Sequence, residues 1–385
     1  MPRGESYVTV RAYLTAYRLK VNIEMTWWQA CGEGDGRVPL EQAAATDDPS
    51  VRLGQLTDLA TPFALRAVAS LRIPDLIESG VLELDALAAA TDTNRDALGR
   101  LLRYLAHRGV FAEPEPDVFS LTAMGRLLRD DDPDGRRSRL DLAGLGASMD
   151  LAFSGLLHSV RTGEAAYGSV HGRTFWADLN ANPEFSDSFD ALMASQQDQT
   201  APQVAAIYDW ASVRHVVDVG GGSGGLLTVL LSSHPHLRGT LVERARPARA
   251  AAARFAAASL THRAEVAAGD FFSPLPAGGD VYITSRVLSD WDDDHAIRIM
   301  RRMREAAEPA GRVLIVEVLP NEPHVPQLSS FDLKMLVVVG GKERALADFA
   351  DLAGQAGLGV RAVHPGQQGL VIIECATRTA GPGDG

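Results

Sequence analysis

The stretch "VVDVGGGSGGLLTVLL", residues 216–231, constrains this chain more than any other. A β-branched run stops at a cluster of glycines, and an apolar run of helical length follows. A strand handing over to a helix through glycine opens an α/β unit. The runs "GTLVE", "AEVAAGD", "DVYITS" and "RVLIVE" then recur between helical segments. This rhythm predicts a doubly wound α/β domain with a mainly parallel sheet. A last pair, "GVRAVHP" and "GLVIIECA", closes around Gly366 and Gly369 and predicts an antiparallel edge.

Upstream of Val213 the pattern is helical. "LGQLTDLATPFALRAVASLRIPDLIESG" carries apolar residues at three-and-four spacing and ends on Gly80. The segment after it reads helix, turn, helix and short hairpin, the order of a winged helix. These readings divide the chain into an extension over 1–50, a helical winged-helix domain over 51–200, the α/β domain over 201–378 and a tail over 379–385. The extension is a mobile arm or follows a misplaced start, with Met25 a candidate for the true one.

The second helix of the winged helix carries Arg95, Arg100, Arg103 and Arg108, so DNA reading has to be weighed. Against it stand the nearby acids Asp92, Asp96, Glu113, Glu115 and Asp117, and a formal net charge of −12. A helix reused for packing is the expectation, with no nucleic-acid partner. Two cysteines, Cys31 and Cys375, support neither a disulfide framework nor a metal site. No run approaches the roughly 18 apolar residues of a membrane helix, and the start lacks a secretory signal. A cytoplasmic protein without a membrane partner is expected. His234 and His236 stand two apart without an acid or cysteine set, so no metal is expected.

The glycine loop allows three parses. Gly220, Gly222 and Gly225 fit the dinucleotide pattern G-x-G-x-x-G. Gly221, Ser223 and Gly225 fit the hydrolase elbow G-x-S-x-G, with Asp332 and His364 following in the required order. Asp218, Gly220, Gly222 and Gly224 fit D-x-G-x-G-x-G, a loop that accepts S-adenosylmethionine. The elbow fails on topology, because it normally follows a strand deep in the sheet, whereas this strand is the first of its α/β domain. The other two parses share an acid ending the second strand, and Glu243 fills that place for the ribose hydroxyls. The third strand separates them: "AAGDFFSPLP" offers Asp270 to an adenine amine and Phe271 to its ring. One nucleoside accounts for these groups, and S-adenosylmethionine is the cofactor expected.

"DVGGGSG", "GDFFSPLPAGGDVYITSRVL", "DWDDDHAIRIMRRM" and "FDLKMLVVVGGKER" resemble the bacterial small-molecule O-methyltransferases of natural-product pathways. That family includes the anthracycline and mitomycin tailoring enzymes and is related to the plant caffeate and chalcone O-methyltransferases. The resemblance covers residues 53–377. It implies a Rossmann-like methyltransferase domain, a homodimer built through the winged-helix domain, and an aromatic or polyketide-like small molecule as substrate. By the same resemblance Gly220, Glu243, Asp270, Phe271 and Ser285 contact the cofactor. Trp291 flanks the adenine or fills the core. Phe153, Trp176 and Met335 line a flat aromatic pocket or fill the core.

By the same resemblance, many relatives carry histidine as a base where this chain has Ser289, in "RVLSDWDDDHA", although the anthracycline branch also lacks it. A phenol with pKa near 10 is scarcely ionised at neutral pH, so the loss matters. The resemblance gives Glu317 and Asp332 the task of orienting the histidine and the substrate. Otherwise Glu317 is a strand-end charge, and Asp332 an acid favoured at the start of the helix "FDLKMLVVV". Three accounts fit Ser289. The substrate already ionises, so alignment suffices. Alternatively His171, ahead of His158 and His295, is the base. Last, the enzyme keeps the cofactor without methyl transfer, for hydroxylation, decarboxylation or cyclisation.

Overall fold

The computed structural model describes residues 48–319 and 326–377. They form two compact units that divide between Leu151 and Ala152. This is earlier than the boundary near residue 200 expected from the helical pattern. Helical periodicity does not mark the division, because the helices after Ala152 belong with the sheet. Nearly all of the 1–50 extension, with Met25 and Cys31, and the whole 379–385 tail lie outside the described residues.

In the N-terminal unit, helices α1 (Leu84–Ala90) and α2 (Arg95–Ala106) precede the hairpin β1 (Phe111–Glu115) and β2 (Val118–Leu121). This is the winged-helix order expected. Asn94 starts α2 by accepting the Ala97 N–H at 3.0 Å, which satisfies one orphan donor of the first turn. Leu98, Leu102 and Leu105 then face one core with Leu84, Leu87, Phe111 and Phe119. The spacing of four and three puts them on one helix face. Three of the four arginines are already paired, Arg95 with Asp85 and Asp117 and Arg103 with Glu113 and Asp117 among them. Arg108 pairs with Asp58 and lies over the Tyr104 ring. Charge committed in this way is not free to release counterions from a phosphate backbone.

One stretch, Arg136–Thr162, is long and apolar enough by composition to cross a membrane, which corrects the reading that no such run exists. It is broken into helical pieces over Arg136–Leu140, Leu145–Leu151, Ala152–Gly155 and Leu156–Thr162. None of them approaches the ~20 residues that a span requires.

The unit from Ala152 is built on seven strands: β3 (His215–Val219), β4 (Arg238–Glu243), β5 (Ala264–Ala268), β6 (Val281–Ser285), β7 (Arg312–Val318), β8 (Leu358–Pro365) and β9 (Leu370–Thr377). Their spatial order is β5-β4-β3-β6-β7-β9-β8. β3 to β7 run parallel, and β9 is antiparallel to both its neighbours. The final pair closes around Gly366 and Gly369 as expected. Its antiparallel member sits one place in from the edge, between β7 and β8.

Alternation along the strands assigns residues to opposite faces. Val217, Val219, Tyr282, Val313 and Ile315 join one core, and Val216, Ile283, Leu314 and Val316 the other. The first is covered by α8 (Asp293–Ala307) and α10 (Leu346–Gln355), through Met300, Met303 and Phe349. The second is covered by α5 (Pro183–Ile207), α6 (Gly225–Ser233) and α7 (Ala245–Ala257), through Val204, Leu230 and Phe255. The result is three layers. Three further helices bear on the site: α3 (Tyr167–His171), α4 (Phe175–Ala181) and α9 (Pro326–Val339). α10 begins at Ala345, which has no capping side chain, but Asp348 accepts the Ala345 N–H at 2.8 Å. Half of a capping box therefore holds an end that has no capping side chain of its own.

The chain moves outward from β3 to β5 and then returns to place β6 on the other side of β3. That reversal leaves a crevice at the carboxyl ends of the strands, where ligands bind in open α/β sheets.

Candidate active site

The parallel register aligns the strand ends that matter. Val219 lies level with Val242, Glu243 with Ala268, and Ser285 with Val316. The loop after β3 therefore stands beside Glu243, and the segment after β5 carries Asp270 and Phe271 to the same edge. These residues line a cavity of about 490 Å³ within the Ala152–Thr377 unit. The size is in the range of small-molecule sites.

Gly220, Gly222 and Gly224 have φ of +76°, +57° and +77°, left-handed values that glycine adopts without strain. A Cβ on Gly221 would lie 2.2 Å from Oδ2 of Asp218, so the backbone of the loop rests on that carboxylate. Asp218 is fully buried, and neither of its carboxylate oxygens has a hydrogen-bond partner. Burial, and then nearby Glu243, push its pKa up to about 7. Glu243 accepts the N–H groups of Gly222 at 3.2 Å and Arg244 at 2.7 Å. Burial holds its carboxyl above the usual range. A loop of left-handed glycines that excludes a Cβ at Gly221, orphaned acceptors beneath it and a carboxylate at its rim fit a nucleoside with hydroxyls to donate.

Asp270 is exposed and orders its own loop by accepting the Phe272 N–H at 2.9 Å. Aromatic rings wall the cavity. Trp291 lies nearly parallel to Trp176, with centroids 6.0 Å apart and planes at 12°. Phe271 and Phe272 meet Trp291 edge-on at 6.0 and 4.9 Å. Both indoles line the cavity, so neither simply fills the core.

Beyond β6 the chain turns sharply. Arg286 takes φ of +59°, a conformation costly for a residue with a side chain and concentrated at functional sites. A 3₁₀ turn over Leu288–Asp290 follows. Ser289, in the position from which a base is expected, is buried and does not line the cavity. Its neighbours Asp290 and Trp291 do. Burial, and then nearby Glu317, raise the Asp290 pKa to about 7. Glu317 is itself buried at the end of β7, with Oε1 unpartnered. Its pKa is raised by burial and opposed by Arg286 and Arg344.

Arg344 fixes this turn. Its side chain is fully buried and donates to Leu288 O at 2.6 Å, Trp291 O at 2.7 Å and Asp293 Oδ1 at 2.9 Å. A Cβ on Gly341 would lie 2.1 Å from Ser289 O, so the glycine lets the two backbones touch.

Several residues picked from the sequence lie off the cavity. Asp332 does not open a helix: α9 begins at Pro326, and Asp332 sits inside it, accepting the Glu343 N–H at 2.7 Å. His171 ends α3, its ring 4.3 Å from that of Tyr167, and does not line the cavity. Phe153 and Met335 are also absent from the lining, and Met335 is buried. Their elements nevertheless gather: α3 and the turn bearing Phe153 pack on α9, which packs on the Leu288–Asp290 turn. Of the other histidines, His158 lies 3.9 Å from Glu164, and His295 bonds Asp292 at 2.8 Å. The elbow reading fails geometrically as well, since His364 bonds Glu374 at 3.1 Å and Asp332 is engaged elsewhere. His234 and His236 each bond a backbone carbonyl, and no metal-binding cluster occurs among the described residues.

The sequence reading passed over Asp190, Phe189 and Met193 of α5, which line the cavity. It also passed over Asp290 and Arg344. Asp290 was detectable as the acid between the strand-end serine and Trp291. Arg344 carried no signal, because a buried arginine looks like any other in a charged run.

Comparison with known proteins agrees with this geometry. Residues 153–359 match the O-methyltransferase domain family, and residues 54–131 the O-methyltransferase dimerisation domain. A 2,7-dihydroxy-5-methyl-1-naphthoate 7-O-methyltransferase of Streptomyces carzinostaticus is 46% identical over 315 residues, covering 82% of this chain and 94% of the relative. The aclacinomycin 10-hydroxylase of Streptomyces purpurascens is 46% identical over 326 residues, covering 83% and 87%. The crystal structure of an O-methyltransferase from neocarzinostatin biosynthesis, with S-adenosylmethionine and 2-hydroxy-5-methyl naphthoic acid, matches with a TM-score of 0.78. It is 45% identical, over 85% of this chain and 98% of that one. The glycine cradle, the acid at the second strand end and these matches agree: the chain belongs to the O-methyltransferase family and is an S-adenosylmethionine-dependent O-methyltransferase.

Proposed function

We propose that the enzyme methylates a hydroxyl of an aromatic or polyketide-like small molecule, in the cytoplasm and as a homodimer joined through its N-terminal unit. The observation that carries the substrate class is the wall of Trp176, Phe189, Phe271, Phe272 and Trp291 around a cavity at the switch point of the sheet. A flat ring fits such a wall, and relatives named for naphthoate and mitomycin substrates support it. The dimerisation-domain match supports the homodimer.

When bound, S-adenosylmethionine supplies a methyl group on an already activated sulfonium. The protein's part is to bind, align and exclude water. Glu243 accepts the ribose hydroxyls, Asp270 the adenine amine, and Phe271 covers the purine. Gly220 and Gly222 let the backbone approach, with Asp218 below them. Ser285 and Trp291 close the cofactor side, leaving Trp176 to the substrate. Alignment of oxygen, carbon and sulfur then converts a bimolecular step into an effectively unimolecular one.

The test is to incubate the pure protein with methyl-labelled cofactor and a panel of polyhydroxylated aromatics. Label in the product supports the reading. A hydroxylated or decarboxylated product without label would replace it with the non-methylating activity that the hydroxylase relative illustrates. Because Ser289 is off the cavity, Ser289→Ala should keep methylation within about tenfold, a difference near 1.4 kcal/mol. Collapse of turnover would give the hydroxyl a direct part.

A further inference from the structure

We propose that Asp290 is the catalytic proton acceptor of this enzyme, taking the hydroxyl proton of the substrate from the turn whose preceding residue lacks the family's histidine. The inference rests on the methyl-transfer reading and adds to it the group that handles the proton.

The composition of the cavity wall leads there. No histidine, cysteine, tyrosine or lysine lines the cavity among the described residues, so proton acceptance falls to a carboxylate. Four carboxylates face it: Asp190, Glu243, Asp270 and Asp290. Glu243 and Asp270 sit at the strand ends that take the nucleoside. Asp190 lies on α5, beside Arg246 and Arg244. Asp290 alone stands past the end of β6, next to Trp291. No hydrogen bond to its carboxylate is seen among the described residues, so its lone pairs are free to accept.

The surroundings of Asp290 suit a base rather than a permanent anion. Glu317, buried near the end of β7, is the carboxylate beside half-buried Asp290, and Arg286, just past β6, is a cation facing both. Arg344, from the segment before α10, bonds the carbonyls on either side of Asp290. Glu343, on the same segment, adds negative charge towards Arg286 and Glu317, with Asp332 of α9 behind it. Of the two cations near these carboxylates, Arg344 is already bonded to two carbonyls and to Asp293, so both acids cannot easily hold a charge here. Burial first, and Glu317 second, lift the affinity of Asp290 for a proton to about 7, the region in which a general base works best at neutral pH.

The step balances. As the phenol O–H bond breaks, its proton moves to a carboxylate oxygen of Asp290, and its electron pair remains on oxygen. An oxygen pair forms the new O–CH₃ bond, and the pair of the broken carbon–sulfur bond stays on sulfur in the neutral thioether product. Asp290 returns the proton to solvent.

The experiment compares an ordinary phenol with one acidic enough to be ionised throughout, using wild type, Asp290→Asn and Asp190→Asn. The expected result is a loss of about 100-fold for Asp290→Asn on the ordinary phenol, in the range of general-base contributions. The ionised phenol should change by less than about threefold, since it does not call on this base, and Asp190→Asn, at another carboxylate of the lining, should affect the two phenols alike. The wild-type rate on the ordinary phenol should fall as pH drops through about 7, the value that burial gives Asp290. The ionised phenol should lack that limb. Infrared difference spectra should show one protonated carboxyl fewer titrating in this region in Asp290→Asn than in wild type, with the signal of Asp218 kept in both.

Equal losses on both phenols in Asp290→Asn, or a loss selective for the ordinary phenol carried by Asp190→Asn instead, overturn the proposal. Should Asp290→Asn fail to take up cofactor by calorimetry, the wild-type profiles decide: an acid limb on both phenols or on neither overturns it. Absence of label transfer by wild type to either phenol removes the methyl-transfer reading itself, and the proposal with it. That outcome is distinct from a wild type that works without Asp290.

Discussion

Exchange of Glu243 for alanine is expected to weaken S-adenosylmethionine binding by about 10²–10⁴-fold while leaving the protein folded. The carboxylate would accept two ribose hydroxyls, and hydrogen bonds to a charged group contribute about 1.5–3 kcal/mol each. Two of them come to roughly 3–6 kcal/mol, at about 1.4 kcal/mol for each tenfold. The fold should tolerate the change because burial already raises the pKa of this group. An anion held against its preference costs the free protein stability, and its removal relieves that cost. The variant does lose the acceptor for the Gly222 and Arg244 N–H groups, so part of the effect comes from a looser loop. Glu243→Gln, which keeps one acceptor oxygen, should fall between the two. Calorimetric titration beside thermal unfolding gives the answer. Binding within about fivefold of wild type (about 1 kcal/mol) would show that the ribose is held elsewhere.

The second large effect is expected at Arg344. Its ion pair with Asp293 contributes little, because that side chain is 46% exposed and exposed pairs are screened. The bonds to Leu288 O and Trp291 O matter more. Arg344→Ala leaves two carbonyls without a donor, each costing about 1–3 kcal/mol if they stay buried, and opens space where the guanidinium sat. A loss of roughly 2–5 kcal/mol follows. In a unit of this size that lowers Tm by about 5–15 °C. Because the turn also carries Asp290 and Trp291 to the cavity, turnover should fall more than cofactor affinity does. Arg344→Lys can restore one carbonyl bond and should recover part of the stability. A variant with unchanged Tm would mean that the turn is held by the Gly341 contact and its own hydrogen bonds.

The sheet, its parallel order and its cofactor edge were legible in the sequence because each strand end leaves a local mark. Glycines stand where φ is positive, an acid closes "GTLVE", and Asp270 with Phe271 follows "AEVAAGD". Burial alternation is equally local, and Val216 and Val217 diverge as a period of two requires. Other features depend on contacts distant in sequence. The unit boundary at Leu151 could not be read from periodicity, since helices on both sides of it look alike. The start of α9 lies ahead of "FDLKMLVVV", because "PQLSS" is helical without an apolar stripe. Ser289 drew attention through a missing histidine, yet the pleat and turn expose its neighbour instead. Arg344 acquires its role only when a segment some fifty residues away folds against it.

The switch point also separates two kinds of work. Most residues proposed for the nucleoside follow β3, β4 and β5, with Ser285 and Trp291 reaching it from β6, whereas Asp290 and Arg286 follow β6 and Glu317 lies near the end of β7. A lineage can therefore alter the reacting half, even to the point of discarding its histidine, without disturbing the grip on the methyl donor. Such insulation would let one scaffold diversify its chemistry by small steps, each of which still leaves a loaded and folded protein for selection to act upon.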